Sequence, residues 1–320
     1  MSHTLPTLAD IRAAAERIAP YAQQTAVLTS RRLDEWLGCN AFLKCENFQR
    51  TGAFKFRGAC NAVMSLSDAE AARGVVTHSS GNHGAAVAEA ARLRGIPAWV
   101  VMPVNSAPVK RTATEGYGAT VVDCQPTQTD REGTAARVVA ESGATLIHPY
   151  DDARIIAGQA TAGLELHRQV PGLNAIICPV GGGGLASGSA LSTSMIAPQC
   201  RILLGEPEAA DDAFLSLQRG EIVPLESSNT VADGLRTSLG VLTFAVIRRH
   251  AEQIITVSEA EIIEAMRFVW TRVKILIEPS SAVAVAAVRR QPELFTGQRV
   301  GILLTGGNVD LDQLPRLLQP

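Results

Sequence analysis

Two kinds of segment alternate along the chain. One is short and apolar at consecutive positions. The other is longer, rich in alanine, and carries polar residues at helical spacing. Gly74 to Ser80 (GVVTHSS), Pro97 to Pro103, Ala119 to Cys124, Ala175 to Val180, Arg201 to Pro207 and Val300 to Gly307 are of the first kind. GAAVAEAARLRG, the stretch around Lys110 to Gly116, and TAARVVAES are of the second. Strands apolar on both faces must be covered on both, and crossover helices between parallel strands supply that cover. The pattern predicts an α/β fold with parallel sheets and βαβ crossovers. No polar linker, repeat or low-complexity stretch divides the chain. A second domain is therefore expected as an insertion, with 74–151 a small domain set into a large one of 1–73 and 152–320.

Composition removes several classes. Over 320 residues, 29 Lys and Arg face 31 Asp and Glu, leaving a net charge of −2 and no basic excess for a nucleic-acid backbone. Aromatics at 4% leave little for stacking bases. No apolar run reaches the 18 or so residues a membrane span needs. The N-terminal twenty residues read as an amphipathic helix rather than a signal peptide. The six cysteines are irregularly spaced with no CxxC pair, so they are expected as buried apolar residues in a reducing cytoplasm.

Chemistry concentrates in four places. In CPVGGGGLASGSALS, a strand ends at Val180, and Gly181, Gly182, Gly183 and Gly184 precede a helix. Such a loop lets backbone N–H groups close on an anion at a helix N-terminus, although a plain flexible turn is the alternative. The P-loop Lys is absent, since Leu185 and Ala186 follow the glycines. A dinucleotide reading survives only weakly, through Glu206 about 20 residues on. In THSSGNHG, Ser79, Ser80, Asn82 and His83 gather at a helix start, more polar groups than a cap requires. In GAFKFRGA, Lys55 stands between two phenylalanines. It is either a surface lysine in a strand or an amine desolvated enough to act as nucleophile or base. LLTGGNVD, alone, is a turn after a strand.

Taken in order, these motifs resemble the fold-type-II pyridoxal-phosphate (PLP) enzymes, in the branch of serine racemase, serine/threonine dehydratase and 3-hydroxyaspartate dehydratase. KCENFQRTGAFKFRGA, THSSGNHG, IAGQ, PVGGGGLASG, EPEAADDAF, VADG, IEPSSA and TGGNVD carry the resemblance from about Ile11 to Leu314. It implies two α/β domains, with the large one binding PLP. It implies that Lys55 attaches the cofactor, Phe54 packs on its ring, Asn82 meets its 3′-hydroxyl, and Gly181 to Gly184 with Leu185 hold its phosphate. Thr305 takes the position facing the pyridine nitrogen. A hydroxyl there, unlike a carboxylate, does not keep that nitrogen protonated, which points to elimination rather than transamination.

The resemblance also implies that Ser79, Ser80, Asn82 and His83 bind the substrate α-carboxylate. Ser80 faces Lys55 across the cofactor and could serve as a second base. Glu206, the Ala210 carbonyl and Asp212 match a site for Mg²⁺, Mn²⁺ or Ca²⁺, the alternative being an acidic helix start. A nucleotide site is put in doubt by Ala85 and Arg50, which depart from the animal racemase pattern. Arg131 could bind a second substrate carboxylate, or could be a solvated arginine.

The expectation is a PLP-dependent ammonia-lyase (dehydratase) acting on 3-hydroxyaspartate, L-serine or L-threonine, in a cytoplasmic homodimer, with an amino-acid racemase as the alternative. A nucleotide-binding oxidoreductase or a non-catalytic binding protein would lack the dinucleotide spacing and leave Lys55 without a role.

Overall fold

The computed structural model describes residues 4–79, 81–106, 108–226 and 228–313. Its strands are β1 (Val27–Leu28), β2 (Asn40–Cys45), β3 (Val75–His78), β4 (Ala98–Pro103) and β5 (Thr120–Cys124). They continue with β6 (Thr145–Leu146), β7 (Ala175–Pro179), β8 (Arg201–Pro207), β9 (Gln253–Val257) and β10 (Arg299–Leu304). The helices of the first half are α1 (Leu8–Ile18), α2 (Arg31–Leu37), α3 (Lys55–Met64), α4 (Asp68–Ala72), α5 (Asn82–Arg94), α6 (Pro108–Gly116) and α7 (Gln128–Ser142). Those of the second are α8 (Ala153–Gln169), α9 (Gly184–Ile196), α10 (Asp212–Arg219), α11 (Val241–His250), α12 (Glu259–Phe268) and α13 (Pro279–Arg290).

The strands form two sheets. The larger runs β1-β2-β10-β7-β8-β9, parallel except for the β1–β2 pair, and the smaller runs β5-β4-β3-β6, all parallel. The α/β fold with two sheets is the one the apolar pattern predicts. β7, β8 and β10 alternate their side chains between two apolar cores, so both faces of the large sheet are dry. A third core packs α3 and α5 onto β3 and β4, and a smaller one sits on the other face of that sheet.

Parallel strands put all their carboxyl ends on one edge, where open α/β sheets bind ligands. At that edge of the large sheet lie the glycine loop after β7, Thr305 after β10, and Lys55 ten residues beyond β2. At the same edge of the small sheet lie Ser79 and Asn82 after β3, and the segment 147–152 after β6.

Candidate active site

Lys55 opens a helix. The alternation Phe54-Lys55-Phe56 suggests a strand, but strand pairing stops at one bridge between Ala53 and Gly306 and α3 begins two residues later. Phe56 turns into the core while Phe54 stays half-buried beside the lysine, its ring centroid 5.2 Å from Lys55 Nζ. Nζ donates to the Pro149 carbonyl at 3.0 Å. Burial lowers its pKa from 10.5 to about 8, against the pull of the Glu278 carboxylate.

Two residues on, Arg57 is wholly buried and fixes the helix. Its guanidinium bonds both oxygens of Glu46 (2.7 and 2.9 Å) and both of Glu165 (2.8 and 2.8 Å). Lys44, also buried, joins Glu165 at 2.9 Å. Two cations and two carboxylates thereby tie β2, α3 and α8 together.

The glycine loop is enclosed. A Cβ at Gly182 would stand 2.3 Å from the Tyr150 ring, and Gly183 takes φ +85°, which other residues rarely adopt. Thr243 Oγ1 donates to the Gly182 carbonyl at 2.9 Å. No side chain caps α9, so the leading N–H groups at Gly184, Leu185 and Ala186 are left for an external acceptor. That donor set, bare of side chains and at the positive end of a helix, fits a phosphate.

Thr305 is buried, and its hydroxyl lies 2.9 Å from that of Ser281, which also donates to the Gly306 carbonyl. Asn82 starts α5 and bridges the two sheet edges. Its Nδ2 donates to both oxygens of Glu278 (3.1 and 3.0 Å), and its Oδ1 accepts from Asn308 at 2.9 Å. Burial raises the Glu278 pKa to about 7, the Asn82 bond opposing it. Lysine, uncapped glycine loop and a hydroxyl in place of a carboxylate converge between two parallel sheets.

Residues 18–306 match the family model described as pyridoxal-phosphate dependent enzyme. The chain belongs to this family. Its relatives include the β-hydroxyaspartate dehydratase of Paracoccus denitrificans, 49% identical over 97% of this chain and 99% of that protein. They include a serine racemase of Arabidopsis thaliana, 48% identical over 95% of this chain and 93% of that one. Among solved structures, the serine racemase of Dictyostelium discoideum superposes with a TM-score of 0.92 at 47% identity, over 95% of this chain and 99% of that one. The resemblance read in the sequence and its PLP-enzyme fold agree with these findings.

The other expected site residues of this PLP-family chain divide. Ser79 Oγ accepts from Gly81 N at 3.2 Å in the turn into α5. Ser80 lies outside the described residues. His83 is buried, with Nε2 3.3 Å from the Ile147 carbonyl and Nδ1 without a partner. Burial and the nearby Lys55 charge hold its pKa well below the ordinary value. A neutral ring donating from Nε2 offers only an acceptor at Nδ1.

Arg131 sits in the first turns of α7 with Nε buried and unpartnered. Burial lowers the His78 pKa, with Glu132 opposing and Arg131 adding to it; the His78 ring packs edge-on against His148, and His148 against Tyr150, which covers Gly182.

Glu206, Ala210 and Asp212 are all buried. The Glu206 oxygens accept from Ala213 N and Phe214 N at 2.9 and 2.8 Å. Both Asp212 oxygens are buried without a partner. Burial pushes Asp212 to about 7, and burial plus the Asp212 charge push Glu206 well up. Among the described residues no group of three or more His, Cys, Asp or Glu side chains could hold a metal ion.

Sequence reading missed the segment from His148 to Asp152, Glu278 and Asn308. The signal of the first was present in HPYDD, where rings and carboxylates crowd just ahead of a helix that Asp152 caps.

Proposed function

We propose that this PLP-family enzyme is an ammonia-lyase, dehydrating a β-hydroxy amino acid drawn from 3-hydroxyaspartate, L-serine and L-threonine. The observation that carries the reading is the Thr305 environment, a hydroxyl bonded to the Ser281 hydroxyl rather than to a carboxylate. The similarity to a β-hydroxyaspartate dehydratase supports it.

PLP, when bound, supplies an electron sink for charge developing at the substrate α-carbon. Gly181 to Gly184 and Leu185 would hold its phosphate, Phe54 and Asn82 its ring, and Thr305 its nitrogen side. Lys55, with a pKa near 8, is neutral in about a tenth of molecules at pH 7, far more than an ordinary lysine, and takes the α-proton at Nζ. Loss of the β-hydroxyl as water and hydrolysis then give a 2-oxo acid and ammonia. Ser79 and the backbone N–H groups of Asn82 and His83 would orient the α-carboxylate, with Arg131 toward a second one. The test is a panel of L-serine, D-serine, L-threonine and the 3-hydroxyaspartate stereoisomers, followed for 2-oxo acid and ammonia. Enantiomer interconversion without 2-oxo acid would sink the lyase reading.

That outcome is the second reading, amino-acid racemisation with Lys55 and Ser80 as bases on opposite faces. The 48% identity to a serine racemase supports it.

The proposal includes a divalent cation at Glu206, the Ala210 carbonyl and Asp212. It is supported by the two unpartnered Asp212 oxygens, which otherwise leave a carboxyl buried without hydrogen bonds. A cation held a hundredfold above its Kd stabilises by about 2.7 kcal/mol. Melting curves identical in EDTA and in excess Mg²⁺, Mn²⁺ or Ca²⁺ would refute the site. It further includes a cytoplasmic homodimer. All six cysteines are free and buried, which suits a reducing compartment, and light scattering reads the assembly.

A further inference from the structure

Residues His148 to Asp152 connect β6 to α8 and hold four neighbours at once. The Pro149 carbonyl accepts from Lys55 Nζ. The Tyr150 ring covers Gly182 and its backbone and Cβ close on Gly184. Asp152 accepts from Arg154 N at 2.7 Å and caps α8. Asp151 reaches 90 residues forward. Its Oδ2 accepts from Val241 N at 3.0 Å, and its Oδ1 from Leu242 N at 2.9 Å and Thr243 N at 3.2 Å.

Those are the first three N–H groups of α11, and the residue in the cap position, Gly240, has no side chain to serve them. A Cβ there would fall 2.2 Å from the Asp151 carboxyl carbon. The carboxylate therefore replaces a local cap from another part of the fold, with the helix dipole in its favour. The third residue it caps, Thr243, holds the Gly182 carbonyl. The loop is stiffened from within, since His148 Nδ1 accepts from Asp151 N at 2.8 Å.

We propose that Asp151 is a positioning residue for Lys55 and for the glycine loop. By capping α11 it fixes both the Pro149 carbonyl that receives the lysine amine and the Thr243 hydroxyl that holds Gly182. Releasing it lets water reach Lys55 and frees the loop wall. The groups facing the amine are Glu278, His83 and His148. The two imidazoles are held neutral by burial, His148 at about 4, so Glu278 is the charge against which desolvation works. Wetting the site moves the amine toward the ordinary lysine value.

The experiment rests on the reading of Lys55 as the amine that takes up PLP. PLP is added to the full-length chain stripped of cofactor, and the rate of appearance of the visible band is followed against pH. In the wild type the rate climbs with the neutral amine, with a midpoint near 8. Asp151→Ala should raise that midpoint by at least about one pH unit, which slows uptake about tenfold at pH 7. Asp151→Asn, which keeps one acceptor oxygen for Leu242 and Thr243, should restore most of the wild-type profile. Gly240→Ala should imitate Asp151→Ala, and it carries the test if Asp151→Ala does not fold. A lower melting temperature with the midpoint unmoved would make Asp151 a cap and nothing more. A wild type that forms no band at any pH would instead overturn the assignment of Lys55.

Discussion

At Lys55 burial and charge oppose each other. Desolvation favours the neutral amine, the Glu278 carboxylate favours the charged one, and burial prevails, leaving a pKa of about 8. The consequence for stability has a fixed sign. Between about 8 and 10.5 the unfolded chain holds a proton on this residue that the folded chain has shed, so stability of the cofactor-free chain rises with pH across that window. Below about 8 the cost of enclosing the ammonium is fully present. Lys55→Met should therefore be more stable than wild type at pH 7, with the gap closing toward pH 10.5. Thermal melts of both cofactor-free chains at half-unit pH steps check this. A gap that stays constant would mean that the amine is well solvated.

At the scale of the helix, α3 is held by ionic contacts as well as apolar ones. Arg57, itself wholly buried, pairs with buried Glu46 and part-buried Glu165 between β2 and α8. Removing it leaves Glu46 buried without a cation and Glu165 with Lys44 alone, so Arg57→Ala should cost about 3–5 kcal/mol in urea unfolding. The exposed Arg137–Glu141 pair on α7 is the control, and Arg137→Ala should cost about 0.3–0.5 kcal/mol. Similar costs would mean that the buried quartet contributes no more than a surface pair.

The same quartet explains what the sequence concealed. β7 and β10 were legible because every residue between their ends is apolar or small, and β8 because Ile202 to Gly205 are, with Glu206 the one charge before its end. β2, which carries Lys44 in NAFLKC, was not, because the partner that lets a lysine be buried is Glu165, 121 residues on. Helix α3 was hidden differently, since Phe54 and Phe56 alternate as a strand does while the Ala53–Gly306 bridge ends strand pairing. The glycine loop and the start of α5 declared themselves through local residues. Glu278 and Asn308 gained meaning only once Asn82 stood against both.

On the scale of the whole molecule, the site is a crevice between the carboxyl edges of two sheets, and polar contacts cross it. Asn82 on the small sheet is gripped by Glu278 and Asn308 from the large one. At the rim, Lys110 on α6 meets Asp233 across the same gap, with both side chains substantially exposed. Cutting the two bridges carries different costs. Asp233→Ala removes an ion pair that water replaces, so its cost should stay below about 1 kcal/mol and shrink with added salt. Asn82→Ala leaves the Glu278 carboxyl buried without its amide donor, at about 1–3 kcal/mol, with little response to salt. That cost should also depend on pH. Glu278 already titrates near 7 instead of 4.5, and losing the Asn82 bond, which lowers it, raises it further. A carboxyl with a raised folded-state pKa loses stability as pH climbs from its unfolded value through its folded one. Asn82→Ala should accordingly be more damaging at pH 8 than at pH 5.5, where a protonated Glu278 tolerates the loss, while Asp233→Ala, which removes a charge that itself raises Glu278, should show a smaller contrast of the opposite sign. Urea midpoints at both pH values and two salt concentrations, with amide exchange along α5, decide it. Equal costs at the two pH values would place the grip on Asn82 outside Glu278.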